Sequence, residues 1–403
     1  MFRLFALYRD SFASLQKNIW ILSIAMFINR SGSMVLLFTS LYLTKQLHFT
    51  IAEAGLALSF YGFGSVLGSY FGGWLTDRKH FFYIMIFSLI GSGLILLLLL
   101  VASSPFYISL IIFAYAFTAD IFRPANSKAI AVYSTPQNRT RSVSLVRLAV
   151  NLGFSVGPAV GGFVALYLGY KWLFVIDSCT SFLAAAMLFF YLPKTAINIT
   201  TSSSNAVLND STTSAYRDIK YLVFILLVAF YGISFFQLFA SIPQYFSQVC
   251  HYSEDTIGLL LALNGLVVVI IEMPLVAKLE KNLKIFNFII GGVLCIPLAF
   301  AILYFGNGIL LWAIIYTLMI TISEVLAMPF MMSYALSRPE KERQGQYSAL
   351  YSIAFGLANI FAPLLGLGIA HEYGFGMMFY FFMGLSLLTA IGFWVLKKVD
   401  AKV

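Results

Sequence analysis

The chain has 403 residues, of which 61% are hydrophobic and only 10% charged, with 40 Phe, 23 Tyr and a mean hydropathy of +0.90. Soluble domains carry about a quarter of their residues as charges, so this composition excludes an ordinary soluble protein. The formal charge of +9 would direct a soluble chain toward nucleic acid or acidic ligands. In an all-α polytopic membrane protein it raises a different question, namely where along the chain the positives fall.

Windows of about nineteen residues predict twelve spans, at 19–43, 51–75, 81–102, 106–133, 143–168, 172–192, 219–246, 256–277, 285–304, 308–335, 346–370 and 375–397. With residues 1–18 assigned to the cytoplasm, the internal segments hold 17 Lys and Arg, whereas the external ones hold only Lys45 and Lys171. Basic residues resist translocation, so both termini are expected inside. The first apolar run is too long for a cleaved signal. Cys179, Cys250 and Cys295 show no pairing or metal-binding spacing. Asn138, Asn198 and Asn209 match the glycosylation pattern but fall on the expected cytoplasmic side.

The polar segment 193–218, rich in Ser, Thr and Asn, reads as a flexible cytoplasmic linker between two six-span halves, 1–192 and 219–403. A shift of 205 superposes Pro124 on Pro329, Leu145 on Leu350, Pro158 on Pro363 and Gly161 on Gly366. A shift of 203 brings Gly55 onto Gly258, Gly62 onto Gly265, and Asp77-Arg78 onto Glu280-Lys281. Six spans return the chain to its starting side, so the repeats are parallel, as in transporters whose site lies between halves near the midplane.

In chain order, Arg30 sits near mid-depth of span one, where a charge costs about 2.5–3.5 kcal/mol even on the gentle insertion scale. It is expected to face a cavity. Span two carries the stripe Gly64, Gly68 and Gly72, best read as helix packing. The turn after it, Gly73-Trp-Leu-Thr-Asp77-Arg78-Lys79-His80, resembles the loop signature of the major facilitator superfamily, although the usual following Gly is absent. There Gly73 would permit close helix approach and Asp77 would pair with a base or a helix N-terminus when the inner ends close. A solvated basic loop is the alternative.

Span four ends in Asp120-Ile-Phe-Arg123-Pro124-Ala125, with Asp120 and Arg123 on one helix face, either as a mutually neutralising pair or as part of a site. Span five contains Gly153, Gly157, Pro158, Gly161 and Gly162, which resemble the Gly-Pro-x-x-Gly-Gly signature of proton-driven antiporters in that superfamily. A purely structural small-residue interface explains the glycines equally well. Together with Glu324 and Pro329 in span ten, these segments make most of 19–397 similar to the drug/proton antiporter branch. The resemblance implies a major facilitator fold of twelve helices in two parallel six-helix repeats. It also implies alternating access, no cofactor, and a small-molecule substrate exchanged for protons.

Isolated carboxylates in apolar helices are candidate proton carriers, here Glu272, Glu324 and, behind them, Asp120, with Arg30 as the fixed positive partner. Asp177, about 9 Å into span six at 1.5 Å per residue, is expected to reach the outer interface. Tyr115, Arg123, Tyr231, Phe235, Gln237 and Tyr316 join Arg30 as candidate cavity residues. An aromatic cavity with few fixed polar groups suits lipophilic or cationic compounds better than sugars. No Walker A loop, zinc-protease motif, Cys/His cluster or potassium-filter sequence occurs. The expectation is therefore a non-enzymatic secondary exporter of the cell membrane, acting as a monomer, with no nucleic-acid partner and an ion gradient as its drive. An importer or uniporter of a zwitterionic or anionic solute, bound through Arg30 and Arg123, is the alternative.

Overall fold

The computed structural model describes residues 15–135, 138–194, 215–279, 285–306, 308–338 and 344–399. All regular elements among them are helical. In chain order they are α1 (Lys17–Gly32), α2 (Val35–Leu41), α3 (Ile51–Arg78), α4 (Phe81–Leu97), α5 (Pro105–Asp120), α6 (Phe122–Tyr133), α7 (Arg139–Tyr167) and α8 (Lys171–Tyr191). There follow α9 (Ile219–Phe235), α10 (Gln237–Ala240), α11 (Ile242–Gln248), α12 (Glu254–Leu279), α13 (Ile285–Phe305), α14 (Leu310–Ser337) and α15 (Gln344–Val399).

Eleven stretches among the described residues are long and apolar enough to cross a membrane. The last, Ala349–Val399, is 51 residues long and is broken at Gly374, where φ is 82°. That conformation suits glycine because it has no Cβ, and the break divides the stretch into the two expected final spans. Three other spans are interrupted rather than straight. The first breaks between α1 and α2, the fourth between α5 and α6 at Ile121, and the seventh at Phe236 and Ser241.

Local chemistry sets the helix starts. At α3, Thr50 and Glu53 form a reciprocal cap: the Thr50 amide donates to Glu53 Oε2 at 2.8 Å and the Glu53 amide donates to Thr50 Oγ1 at 3.2 Å. His80 accepts the Phe82 amide before α4, Pro105 opens α5, and Asp218 accepts the Tyr221 amide before α9. The expected linker 193–218 lies largely in 195–214, outside the described residues.

The chain forms two compact units, one of residues 1–42, 63–198 and 254–266, the other of 43–62, 199–253 and 267–403. In the first unit α1 packs on α7 and α8, and α4 on α5 and α8; a core including Leu22, Phe82, Met85, Phe122, Ala125 and Leu188 lies among them. In the second, α13 packs on α14 and α15, and α9 on α15. Each unit takes in the first half of a helix whose remainder groups with the other: 51–62 of α3 and 254–266 of α12. These two segments are related by the sequence offset of 203.

The same offset recurs in the backbone. His48 and His251 both adopt positive φ, at 58° and 56°. The turn bonds Phe49 N–H to Leu43 O and Tyr252 N–H to Phe246 O correspond as well. Gly169 and Gly374, 205 apart, have φ of 91° and 82°. A positive φ at two histidines is uncommon enough that its recurrence at one offset marks an internal repeat.

Candidate functional site

The repeat also reuses its helix contacts. In the second unit, a Cβ added to Gly55 would lie 2.8 Å from the Pro363 carbonyl oxygen, and one on Gly62 would lie 2.6 Å from Ile360 N. In the first unit, Gly258 meets the Pro158 carbonyl and Gly265 meets Ser155 at 2.9 Å. Pro158 and Ser155 precede Pro363 and Ile360 by 205. Ser155 Oγ then donates to the Ala262 carbonyl at 3.1 Å, and Gly162 faces the Glu254 carbonyl. The other face of α7 receives α1 and α2, with Gly153 against Arg30 Cβ at 2.6 Å, Gly157 against Ser31 O at 3.2 Å and Gly161 against Met34 Cβ at 2.7 Å. Gly153, Gly157, Pro158, Gly161 and Gly162 thus let two helices approach α7 at backbone distance.

Gly64, Gly68 and Gly72 of α3 seat against Phe113, Phe117 and Ile121 in turn, a parallel register with α5. Gly73, expected to serve a close approach, has open space where its Cβ would be; Gly72 makes the contact instead. Arg78 lies over the Trp74 ring at 4.1 Å. The Asp77 side chain is outside the described residues, as is that of Glu272.

Asp120, at the end of α5, is buried with both oxygens occupied. Arg123 Nε lies 2.7 Å from Oδ1, and Ser65 of α3 donates to Oδ2. The Arg123 side chain is 54% exposed, whereas that of Asp120 is 3% exposed, so the pair is buried at its carboxylate end. Lys128 Nζ donates to the Thr76 carbonyl at 2.5 Å and ties α6 to α3. Tyr115 is half-buried on α5.

In the second unit, Tyr231 of α9 is fully buried, shares a hydrogen bond with Ser323 at 3.3 Å and lies within electrostatic reach of Glu324. Glu324 itself is half-buried on α14. Phe235 stacks on Tyr231 with ring centroids 6.0 Å apart. Gln237 is also fully buried: its Nε2 donates to the Ile233 and Ala362 carbonyls at 2.9 Å, and its Oε1 accepts from Ser241. It joins the broken seventh span to α15. Tyr316 packs edge-on against Phe246, 6.3 Å away, with no partner for its hydroxyl. These four side chains lie inside the second unit's helix packing.

Arg30, on the last turn of α1, lies over the Phe154 ring at 5.4 Å with its Nε unpaired. The carboxylate acting on it electrostatically is Asp177 of α8. Asp177 is 1% exposed, in contrast to the outer-interface position expected from its depth. Depth along a helix does not fix rotation, and Asp177 shares a buried face with Phe174, Ser178 and Ser181. That polar spacing, facing Asn29-Arg30-Ser31, was a signal available in the sequence.

A second ionic cluster had no counterpart among the expected sites. Asp218 pairs with Arg338 through two bonds, Nε to Oδ2 at 2.6 Å and Nη2 to Oδ1 at 3.0 Å, and accepts the Tyr347 hydroxyl at 3.1 Å. Tyr221 Oη donates to the Tyr347 carbonyl at 2.6 Å. Burial works against the Asp218 carboxylate, but Arg338, the Tyr221 amide and the Tyr347 hydroxyl outweigh it and hold the group below the usual carboxylate range.

The Major Facilitator Superfamily profile matches residues 20–362. The chain belongs to that superfamily. It is 25% identical over 373 residues to "Multidrug resistance protein 2" of Bacillus subtilis, covering 89% of this chain and 90% of the relative. It is 23% identical over 409 residues to the "Na(+), Li(+), K(+)/H(+) antiporter" of Planococcus maritimus, covering 93% and 95%. Among solved structures, the nucleoside transporter NupG aligns with a TM-score of 0.77 at 15% identity, covering 95% of this chain and all of that one. This facilitator is therefore a multi-pass membrane transporter rather than an enzyme, with the twelve-helix, two-repeat fold.

Proposed function

We propose that this facilitator is a secondary active exporter of small lipophilic or cationic compounds, driven by protons and working by alternating access in the cell membrane. The likeness to a multidrug resistance protein along about nine-tenths of both chains carries the reading. The full-length likeness to a cation/proton antiporter supports exchange as its mode. The proposal takes 1–192 and 219–403 as the two moving halves, 193–218 as their linker, both termini as cytoplasmic, and the monomer as the working unit. Asp77 and Arg78 belong to the inner closing contact.

Glu324 and Glu272 are the leading proton carriers of the second half. A carboxylate on an apolar helix is costly when ionised, and Glu324 has the buried Tyr231 nearby. Asp120 ranks below both because its two oxygens are already engaged. The test uses purified protein in liposomes, ethidium as the lipophilic cation and an imposed pH gradient. Wild type drives ethidium uphill, and Glu324→Gln loses the gradient-driven flux while retaining downhill exchange. Uphill flux unchanged in both Glu324→Gln and Glu272→Gln refutes the carrier assignment. No gradient-dependent flux in wild type refutes proton-driven export of this substrate class.

A further inference from the structure

α1 stops at Gly32, Ser33 leaves helical geometry with ψ of 47°, and α2 resumes at Val35. An interrupted helix leaves amides at the restart without carbonyl acceptors. Asp177 reaches across from α8 and accepts the Val35 N–H. This uses part of the carboxyl group's capacity. Its Oδ2 is buried with no hydrogen-bond partner. Arg30 Nε and Ser31 Oγ, on the turn just before the break, are buried without partners too.

Such a cluster is costly as it stands. An ionised carboxylate buried with an unused oxygen, beside a guanidinium that acts on it but lies over the Phe154 ring, has lost more solvation than the single Val35 amide returns. A proton on Oδ2 removes the charge, and closure of Arg30 onto Asp177 compensates it. These are two distinct arrangements of the same groups. Helix α7 holds the guanidinium away from Asp177, with Phe154 beneath it and Gly153 admitting its stem.

We propose that Asp177 is a proton-binding site of this facilitator, with Arg30 as its counter-charge, so that proton loss from Oδ2 draws the guanidinium across the α1–α2 break and proton gain releases it. The proton passes between Asp177 Oδ2 and water, with no other bond made or broken. Among the described residues of the packed elements, Arg30 is the one charged group that acts on Asp177, and Lys17, the other charge of α1, lies at the opposite end of that helix. α2 and α4 contain no Asp, Glu, Lys, Arg or His, and the bases of α7 (Arg139, Arg141 and Arg147) lie in its first third. On α8 itself, Lys171 and Cys179 are both exposed. Coupling of this site to flux rests on the proposed export; the proton site itself does not.

The experiment is pH-difference infrared spectroscopy of the full chain in liposomes, read at the carbonyl stretch of protonated carboxylic acids. The substitution Asp177→Asn keeps an acceptor for the Val35 amide and cannot titrate. Wild type is expected to show a titrating band that Asp177→Asn removes. Arg30→Gln should keep the band and move its midpoint up by about one pH unit or more, because a nearby positive charge favours the ionised acid. An Asp177→Asn spectrum identical to wild type overturns the site, and an unmoved midpoint in Arg30→Gln overturns the pairing. If Asp177→Asn does not fold, the Arg30→Gln midpoint decides alone. Ethidium flux separates the layers. Loss of uphill transport with downhill exchange kept supports coupling through Asp177, and uphill transport equal to wild type overturns it. A wild type that ignores the gradient overturns proton-driven export and leaves the infrared result to decide the proton site.

Discussion

Replacing Asp218 tests whether the ionic cluster at the start of α9 holds the second unit together. The two side chains are only 15% and 17% exposed, so the pair is not a screened surface contact. Asp218→Ala removes an N-cap worth about 1 kcal/mol. It also strands Arg338, and breaking a buried pair costs about 3–5 kcal/mol. Residual exposure and the remaining bond from Arg338 Nη1 to Tyr334 Oη at 2.5 Å place the total near the lower bound of that sum, about 4 kcal/mol. Asp218→Asn keeps the cap and should cost about half as much. Reversible unfolding in mixed micelles measures both, and a double-mutant cycle with Arg338→Gln isolates the pair, with an expected coupling of at least about 1 kcal/mol. The pH dependence has a definite sign. The folded-state pKa lies below the free value near 3.8, so the stabilisation is present above that value and disappears as pH falls through the folded one. The gap between wild type and Asp218→Asn should be flat from about pH 5 to 8 and close only below about pH 4. Additive single mutants, or a gap that closes near neutrality, would show the cluster to be incidental.

Gly68→Ala and Gly73→Ala form a matched pair on one helix. The Cβ at Gly68 runs into the Phe117 backbone while that at Gly73 meets nothing. Alanine gains about 1 kcal/mol of helix propensity over glycine, so Gly73→Ala should leave the melting temperature equal or higher and Gly68→Ala should lower it; equal shifts would contradict the α3–α5 register. Tyr170→Phe removes the bond from Tyr170 Oη to Glu254 Oε1 at 2.7 Å, and unfolding in micelles should show a loss of about 1.5 kcal/mol. Burial first, and Glu254 second, push the Tyr170 phenol above its ordinary value. Its contribution is therefore complete below about pH 10 and declines only as pH rises through the folded value, so a Tyr170→Phe deficit varying between about pH 6 and 9 would count against the bond.

Span positions were legible because bilayer thickness imposes a length and an apolarity that few other constraints mimic. The repeat was legible too, through Gly55, Gly62, Pro158 and Pro363, since close helix approach admits few residue types. Rotation about each helix was harder to read. Gly72 and Gly73 differ by about 100° on a helix, and only Gly72 continues the four-residue stripe from Gly64 and Gly68. The aromatic residues showed the same limit. Tyr231, Phe235 and Tyr316 suit an apolar cavity and a helix interface alike, and the structure buries all three within the second unit. Asp218 was hidden by its place at the end of a polar segment, where nothing in its neighbours announces Arg338, 120 residues away.

The repeat and the charges obey different rules. Positions 203–205 residues apart share positive-φ histidines, glycine breaks and glycine-to-proline contacts. Five charged residues well inside the spans have no such partners: Arg30 corresponds to Ile233, Asp120 to Val325, Arg123 to Met328 and Asp177 to Phe382, while Glu324 corresponds to Ala119. Phe382 is fully buried, as Asp177 nearly is, so the fold accepts an apolar side chain at that position of the repeat. A carboxylate there is not needed for packing, and burying it with one oxygen unpaired works against stability. Asp120 differs, because Ser65 and Arg123 complete its hydrogen bonding and make it a strut. Departure from the repeat marks residues added to a shared scaffold. Incomplete bonding then separates those free to change protonation state from those that lock two helices, and on both counts Asp177 belongs with the former.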